Sequence, residues 1–279
     1  MTTIPNLVLH NETEIPQLGF GTYKVTDNAT EVIGTALKLG YRHLDGAQMY
    51  RNEPEVGEAW TASGVAREEL FLTSKLDNPN HEPDKARESF AQTLRDLRTD
   101  YVDLFLIHWP LPMYYDGDFV TTWKVLEEFL EDGRARAIGV SNFEPNQLER
   151  IIENADVAPM VNQVESQPYF PNYAVHDFDS SHGIVTEAWS PLARGRVLDD
   201  PILTEIAKRH DATVSQVTLR WSLQRGDVIF PKASSEERQR ENMDIFGFEL
   251  TQADMDDIAR LDEGQAGRTG KHPYVMDRM

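Results

Sequence analysis

The chain has 279 residues, no cysteine, and 47 acidic against 27 basic side chains, for a formal net charge of −20. Without cysteine it forms neither a disulfide nor a thiolate metal site. A negative excess of this size repels nucleic acid and anionic membrane surfaces.

The opening "MTTIPNLVLHNETEIPQLGFG" has no basic stretch leading into an apolar one, so no signal peptide is expected. No apolar run approaches the roughly 18 residues of a membrane span, and a cytoplasmic location is the default. "LVLHNETEIPQL" reads as a β-hairpin turning at Asn11–Glu12. A repeated cassette follows, in which a short apolar run ends on a polar residue and leads into an amphipathic stretch. The strand-like runs are 18–23, 41–45, 70–75, 102–108, 137–142, 160–165, 183–189 and 227–232. Most are nearly continuous in apolar residues, as in strands buried on both faces of a parallel sheet.

Between the runs the helices carry start and stop signals. Asn52 with Glu55 has the form of a capping box, and Gly64 ends that helix. Ala86, Phe90, Leu94 and Leu97 share one helical face. Gly133 closes the next helix, and Pro145 opens another. Residues 201–226 read as a helix pair broken near Asp211–Thr213. Eight strands alternating with helices, with no linker or low-complexity segment, predict one α/β domain over residues 1–279. The expected fold is a (β/α)8 TIM barrel preceded by the hairpin.

Such barrels place their chemistry at the carboxyl ends of the strands. Here those ends carry Asp45, Lys75, His108, Asn142, Gln163, Trp189 and Lys232. Tyr50 follows Asp45 by five residues. Lys75 singly reads as half of an ion pair and His108 as a rim histidine; together with Tyr50 they form an interpretable set. A phenol is a weak acid at neutral pH, and a nearby ammonium draws its pKa down. Tyr50 is therefore expected as proton donor, Lys75 as its tuner, Asp45 as the orienter of Lys75, and His108 as the group that places the reacting oxygen. No serine or cysteine stands beside a base, and no metal-ligand cluster is evident. A tuned phenol suits a carbonyl oxygen that gains charge as hydride adds to the carbon.

A hydride source is not announced by a dinucleotide fingerprint, since "GFGTYK" lacks the third glycine. Trp189 can stack on a flat ring. Asn142 and Gln163 can hold a carboxamide. Lys232, Ser234 and Arg238 near a helix start have a phosphate-binding composition.

The segments "GYRHLDGAQMYRNEPEVGEA", "LTSKL", "LFLIHWP", "IGVSNF", "NQVE", "AWSPLARG" and "PKASSEERQREN", in this order, resemble the aldo-keto reductases, near the diketogluconate reductases of bacteria and archaea. The resemblance spans nearly the whole chain. It implies NADPH-dependent reduction of aldehydes or ketones, with Asp45, Tyr50, Lys75 and His108 catalytic. It further implies Trp189 on the nicotinamide, Ser141, Asn142 and Gln163 on its carboxamide, and Ser190, Leu192 and Gly195 along the pyrophosphate. Lys232 and Arg238 are expected at the 2′-phosphate, with Ser234 beside them and Glu241 and Asn242 at the adenine. Gly21, Thr22, Tyr23 and Asp45 complete the cofactor set. Ala233 stands where many relatives have serine or threonine, which removes one phosphate contact; NADPH preference with some NADH use is expected. Asp77 stands where many close relatives have tryptophan, giving an acidic pocket wall beside Tyr23, Met49 and Trp109; the loop after "IHWP" and the tail "GKHPYVMDRM" are expected to shape the same site.

Two rivals stay open: an NADPH-binding regulatory subunit with weak catalysis, and a barrel enzyme doing acid–base chemistry without nicotinamide. The expected partner is a small carbonyl compound, with no nucleic acid or membrane, and the protein a monomer or weak oligomer. The acidic residues spread along the whole chain ("LDDPILTEIAKRHD", "TQADMDDIARLDEG"), a pattern expected of a halophilic protein whose self-repulsion is screened by molar salt.

Overall fold

The computed structural model describes residues 4–278. Met1–Thr3 and Met279 lie outside the described residues, and with them part of the stretch read as free of a signal peptide and the last residue of the single-domain assignment.

Strands β1 (Asn6–Val8) and β2 (Glu14–Pro16) pair antiparallel. The turn falls where the sequence places it: Glu12 has φ 69, and the Asn11 side chain accepts from the Thr13 amide at 3.1 Å. Leu9 and Ile15 are buried with Leu104, Leu106 and Val161, so the hairpin closes the amino end of the sheet that follows.

That sheet has eight parallel strands. They are β3 (Phe20–Gly21), β4 (His43–Asp45), β5 (Phe71–Leu76), β6 (Val102–Ile107), β7 (Ala135–Ser141), β8 (Val161–Glu165), β9 (Val185–Trp189) and β10 (Val228–Ile229), in sequential order. A parallel bridge between Leu18 and Ile229 closes the ring, with Gly19 N–H on the Ile229 carbonyl at 2.7 Å. The expected (β/α)8 barrel with its hairpin is the observed fold. At the seam the strands shrink to two residues each, and backbone approach replaces a long ladder. A Cβ on Gly21 would lie 2.5 Å from the Phe230 carbonyl oxygen, so only glycine fits there.

Helices α1 (Ala29–Leu39), α2 (Glu53–Ser63), α3 (Pro83–Asp96), α4 (Val120–Glu131), α5 (Pro145–Asn154) and α6 (Tyr173–Ser181) alternate with the strands. The pair α7 (Pro201–Arg209) and α8 (Val214–Gln224) precedes β10; α9 (Glu236–Met243) and α10 (Gln252–Ala259) follow it. On α3, Phe90 stacks on Phe129 of α4 at 4.2 Å and meets Phe105 of β6 at 4.4 Å. This is the face that the spacing of Ala86, Phe90 and Leu94 announces. Thr213 caps α8 by a reciprocal box with Gln216, which explains the break in the helix pair.

The box expected at Asn52 does not form. Its side-chain amide instead donates to the carbonyls of Thr22 and Val25, at 2.9 and 3.0 Å. Two carbonyls on the preceding loop need a donor, and the Asn52 amide turns to them instead of to the helix start. Among the described residues, no helix is long and apolar enough to cross a membrane.

Candidate active site

Three of the predicted catalytic groups meet at the carboxyl end of the barrel. Lys75 Nζ lies 2.6 Å from Asp45 Oδ1, 2.8 Å from the Gly46 carbonyl and 3.4 Å from the Tyr50 hydroxyl. Lys75 is fully buried and Asp45 is 2% exposed. An uncompensated ammonium there would be costly, so the pair must form and its geometry is fixed. The fourth group, His108, has its ring centroid 5.8 Å from that of Tyr50, edge to face.

The electrostatics sharpen these roles. Lys75 is held above the ordinary lysine range: burial acts against the charge, but Asp45 and Tyr50 more than offset it. Tyr50 departs from expectation. Burial pushes its phenol up to about 12, and Lys75 offsets only part of that rise. The expected lowering below an ordinary tyrosine is therefore absent in the ligand-free protein, and Tyr50 stands fully protonated at neutral pH. That is the form a proton donor needs.

His108 is driven well below the usual histidine range by burial first, then by Lys75 and Arg278, so its imidazole is neutral. Among the described residues its buried Nδ1 has no hydrogen-bond partner. A proton on Nδ1 would be stranded, which assigns the proton to Nε2.

Asp45, Tyr50 and His108 line a cavity of about 400 Å³, with Lys75 buried behind its wall. Of the predicted pocket residues, Tyr23, Met49 and Trp109 line it; Asp77 does not. Asp77 is 2% exposed and bound by Arg51 Nη2 at 2.6 Å, and it accepts from the Asn78 amide at 2.9 Å. The guanidinium holds the carboxylate away from the cavity, so the expected acidic wall is missing.

Of the predicted cofactor residues, Gly21, Tyr23, Asp45, Ser141, Asn142, Gln163, Trp189, Ser190 and Lys232 line the same cavity. Trp189 Nε1 donates to Asn142 Oδ1 at 2.9 Å, and Asn142 Nδ2 donates to the His108 carbonyl at 2.9 Å. Asn142 and Ser190 adopt left-handed backbone, φ 64 and 52, as strands β7 and β9 end. Thr22, Leu192, Gly195, Ser234, Arg238, Glu241 and Asn242 lie outside the cavity wall. Thr22 is buried with its hydroxyl on the Asp45 carbonyl at 2.9 Å. Glu241 accepts from the Thr213 hydroxyl at 2.6 Å. Ser234 and Arg238 are exposed at the start of α9, where Ser235 takes the capping position.

One cationic cavity residue, Arg194 after β9, was not singled out in the sequence; the tail, expected at the substrate site, supplies Gly270, Lys271, Met276 and Arg278. Glu165, fully buried at the end of β8, clamps that tail by accepting from Thr269 N and Oγ1, both at 2.6 Å, and from Gly270 N at 2.9 Å. Loop conformation carries no periodic signal, so the chain pattern does not announce the Glu165 clamp. Glu187, buried beneath the catalytic groups, did leave a trace: alternation along "VTEAW" puts it on the same inward face as Trp189.

The donor set fits an anionic, planar cofactor. In a protein of net charge −20 the cavity gathers Arg194, Lys232, Lys271 and Arg278 beside the Trp189 ring. Arg194 and Lys232 make no ion pair among the described residues.

A barrel with a phenol, an ammonium and a neutral imidazole at one mouth defines a class of enzyme that protonates an oxygen. The sequence model of the Aldo/keto reductase family matches residues 17–263, and the chain belongs to that family. Glyoxal reductase of Bacillus subtilis (strain 168) is 46% identical over 267 residues, covering 95% of each chain. Methylglyoxal reductase DkgA of Yersinia pestis is 40% identical over 280 residues, covering 99% of each. The crystal structure of a Gox0644 mutant in complex with NADPH superposes with a TM-score of 0.94 at 40% identity, covering 99% of this chain and 100% of that one. Bombyx mori aldo-keto reductase AKR2E4 in complex with NADP gives a TM-score of 0.88 at 33% identity, covering 94% of each chain.

Proposed function

We propose that this protein is an NADPH-dependent carbonyl reductase acting on small aldehydes and ketones, with the whole chain working as one barrel domain. The observation that carries this reading is the buried Lys75 ammonium, 2.6 Å from Asp45 and 3.4 Å from the Tyr50 hydroxyl, at the mouth of a cationic cavity. Reduced nicotinamide, when bound, supplies a hydride. Tyr50 gives its proton to the substrate oxygen as that oxygen gains charge. Lys75 stabilises the phenolate left behind, and Asp45 keeps Lys75 charged and aimed. His108 donates from Nε2 to the same oxygen and so places the carbonyl.

Trp189 would carry the nicotinamide ring, and Ser141, Asn142 and Gln163 its carboxamide. Ser190, Leu192 and Gly195 would run along the pyrophosphate, with Lys232 and Arg238 on the 2′-phosphate. Ala233 supplies no hydroxyl there. Two charge-assisted contacts at about 1.5–3 kcal/mol each still favour NADPH over NADH. Relatives named for glyoxal and methylglyoxal support short dicarbonyls as the substrate class. The even spread of acid along the chain supports work in a salt-rich cytoplasm.

The test is to titrate NADPH into the protein and then add methylglyoxal. Binding followed by consumption, with a higher kcat/KM for NADPH than for NADH, is expected. No binding would leave acid–base chemistry without nicotinamide; binding without consumption would leave a regulatory subunit.

A further inference from the structure

Beneath the catalytic groups lies a second carboxyl that the mechanism does not use. Glu187 on β9 stands in register with Gln163 on β8. The Gln163 carboxamide nitrogen donates to Glu187 Oε2 at 2.7 Å and, across the barrel, to Asp45 Oδ1 at 2.9 Å. Asp45 Oδ1 also receives Lys75 Nζ at 2.6 Å. Gln163, Glu187, Asp45 and Lys75 are each at most 2% exposed. Lodged between two carboxyl groups, the amide end of Gln163 that faces inward must be its nitrogen. Its oxygen is thereby left for the cavity, which Gln163 lines.

The charges around Glu187 can be counted. His43 and Asp45 face it from β4 and Lys75 from β5; Tyr50 lies beyond them, β8 offers Gln163, and β10, formed by Val228 and Ile229, brings no titratable group. One cation thus meets two carboxyls. An ionised Glu187 would leave a surplus negative charge in the barrel core, and burial favours retention of its proton. Burial first, then Asp45, pushes Glu187 up to about 8. Its Oε1 has no hydrogen-bond partner among the described residues and lies 3.9 Å from His43 Nε2. His43 Nδ1 lies 3.2 Å from the Pro16 carbonyl and so holds its proton there, leaving Nε2 to accept from the Thr73 hydroxyl at 3.1 Å. Burial holds His43 down to about 4, so it does not compete for a second proton.

We propose that Glu187 is a positioning residue for carbonyl reduction, a neutral carboxylic acid that fixes the Gln163 carboxamide and leaves Asp45 as the sole counter-ion of Lys75. The inference rests on the carbonyl-reductase reading. Deprotonation of Glu187 would put a second negative charge behind Lys75. That charge would make the Tyr50 phenol harder to ionise and hence a poorer acid. Reduction should therefore weaken as pH rises through about 8.

The experiment compares wild type, Glu187→Gln and Glu187→Leu by steady-state NADPH oxidation with methylglyoxal from pH 6 to 10. The first variant mimics the neutral acid. It should keep kcat/KM within about twofold at pH 7, as a neutral-for-neutral exchange predicts, and lose the decline above pH 8. The second removes the acceptor for Gln163, and its dissociation constant for NADPH should rise about tenfold, more than its kcat falls. The infrared difference spectrum of wild type minus Glu187→Gln at pH 7 should show a protonated carboxyl band. A loss of more than about tenfold in Glu187→Gln at pH 7, an unaltered pH profile, or a carboxylate band in that difference overturns the positioning role while the carbonyl-reductase reading stands. A wild type that consumes no NADPH overturns both.

Discussion

The two ends of the barrel are equally buried and chemically opposite. At the amino end, Leu9 and Ile15 of the hairpin close on Leu104, Leu106 and Val161 in an apolar cluster. At the carboxyl end Asp45, Lys75, Gln163 and Glu187 are as deeply buried, and each polar contact there leans on another. Apolar burial is non-directional, so changes at the amino end should cost stability in proportion to the volume removed. Buried polar groups are directional and interdependent, so changes at the carboxyl end should show first in chemistry.

The largest expected effect is that of Tyr50→Phe. Removing the proton donor should lower kcat for carbonyl reduction by roughly 10²–10⁴-fold, measured as NADPH oxidation. NADPH affinity by fluorescence titration and the thermal midpoint should stay near wild type; retained turnover would dismiss Tyr50 as the acid. Ile15→Ala should act in the opposite sense. It should remove about 2–5 kcal/mol of unfolding free energy in denaturant titrations, the scale of a buried Ile-to-Ala cavity, and leave kcat/KM unchanged. A change in kcat/KM there would mean that the two ends are coupled.

The smallest effect concerns the surface that encloses both ends. Raising KCl from about 0.1 M to 1 M shortens the screening length from about 10 Å to 3 Å. The unfolding midpoint should rise by a few degrees, because exposed like charges are screened while the buried Asp45–Lys75 pair is not. A flat or falling midpoint would remove the case for a halophilic protein.

Much of this architecture was legible in the chain. The eight apolar runs, the hairpin turn at Asn11–Glu12 and the break before Thr213 are local signals, set by periodicity and turn chemistry. The strand-end residues Asp45, Lys75 and His108 were legible because a parallel barrel sends every strand terminus to one rim. Other features were not. Asp77 was expected in the pocket, yet Arg51 turns it aside. Asn52 has the form of a helix cap, yet two carbonyls from the Thr22–Val25 loop claim its amide. The tail that supplies Gly270, Met276 and Arg278 is anchored by Glu165, more than a hundred residues earlier in the chain.

By itself, then, the sequence determined the order of strands and helices, the rim on which the polar groups emerge, and the residue types available for proton transfer. Tertiary structure alone decided which partner each buried polar group finds and which groups keep their protons: why the Tyr50 phenol is raised instead of lowered, and why Glu187 shares an amide with Asp45. The physical reason is that desolvation and hydrogen-bond pairing depend on neighbours that only the closed barrel brings together, from strands far apart in the chain.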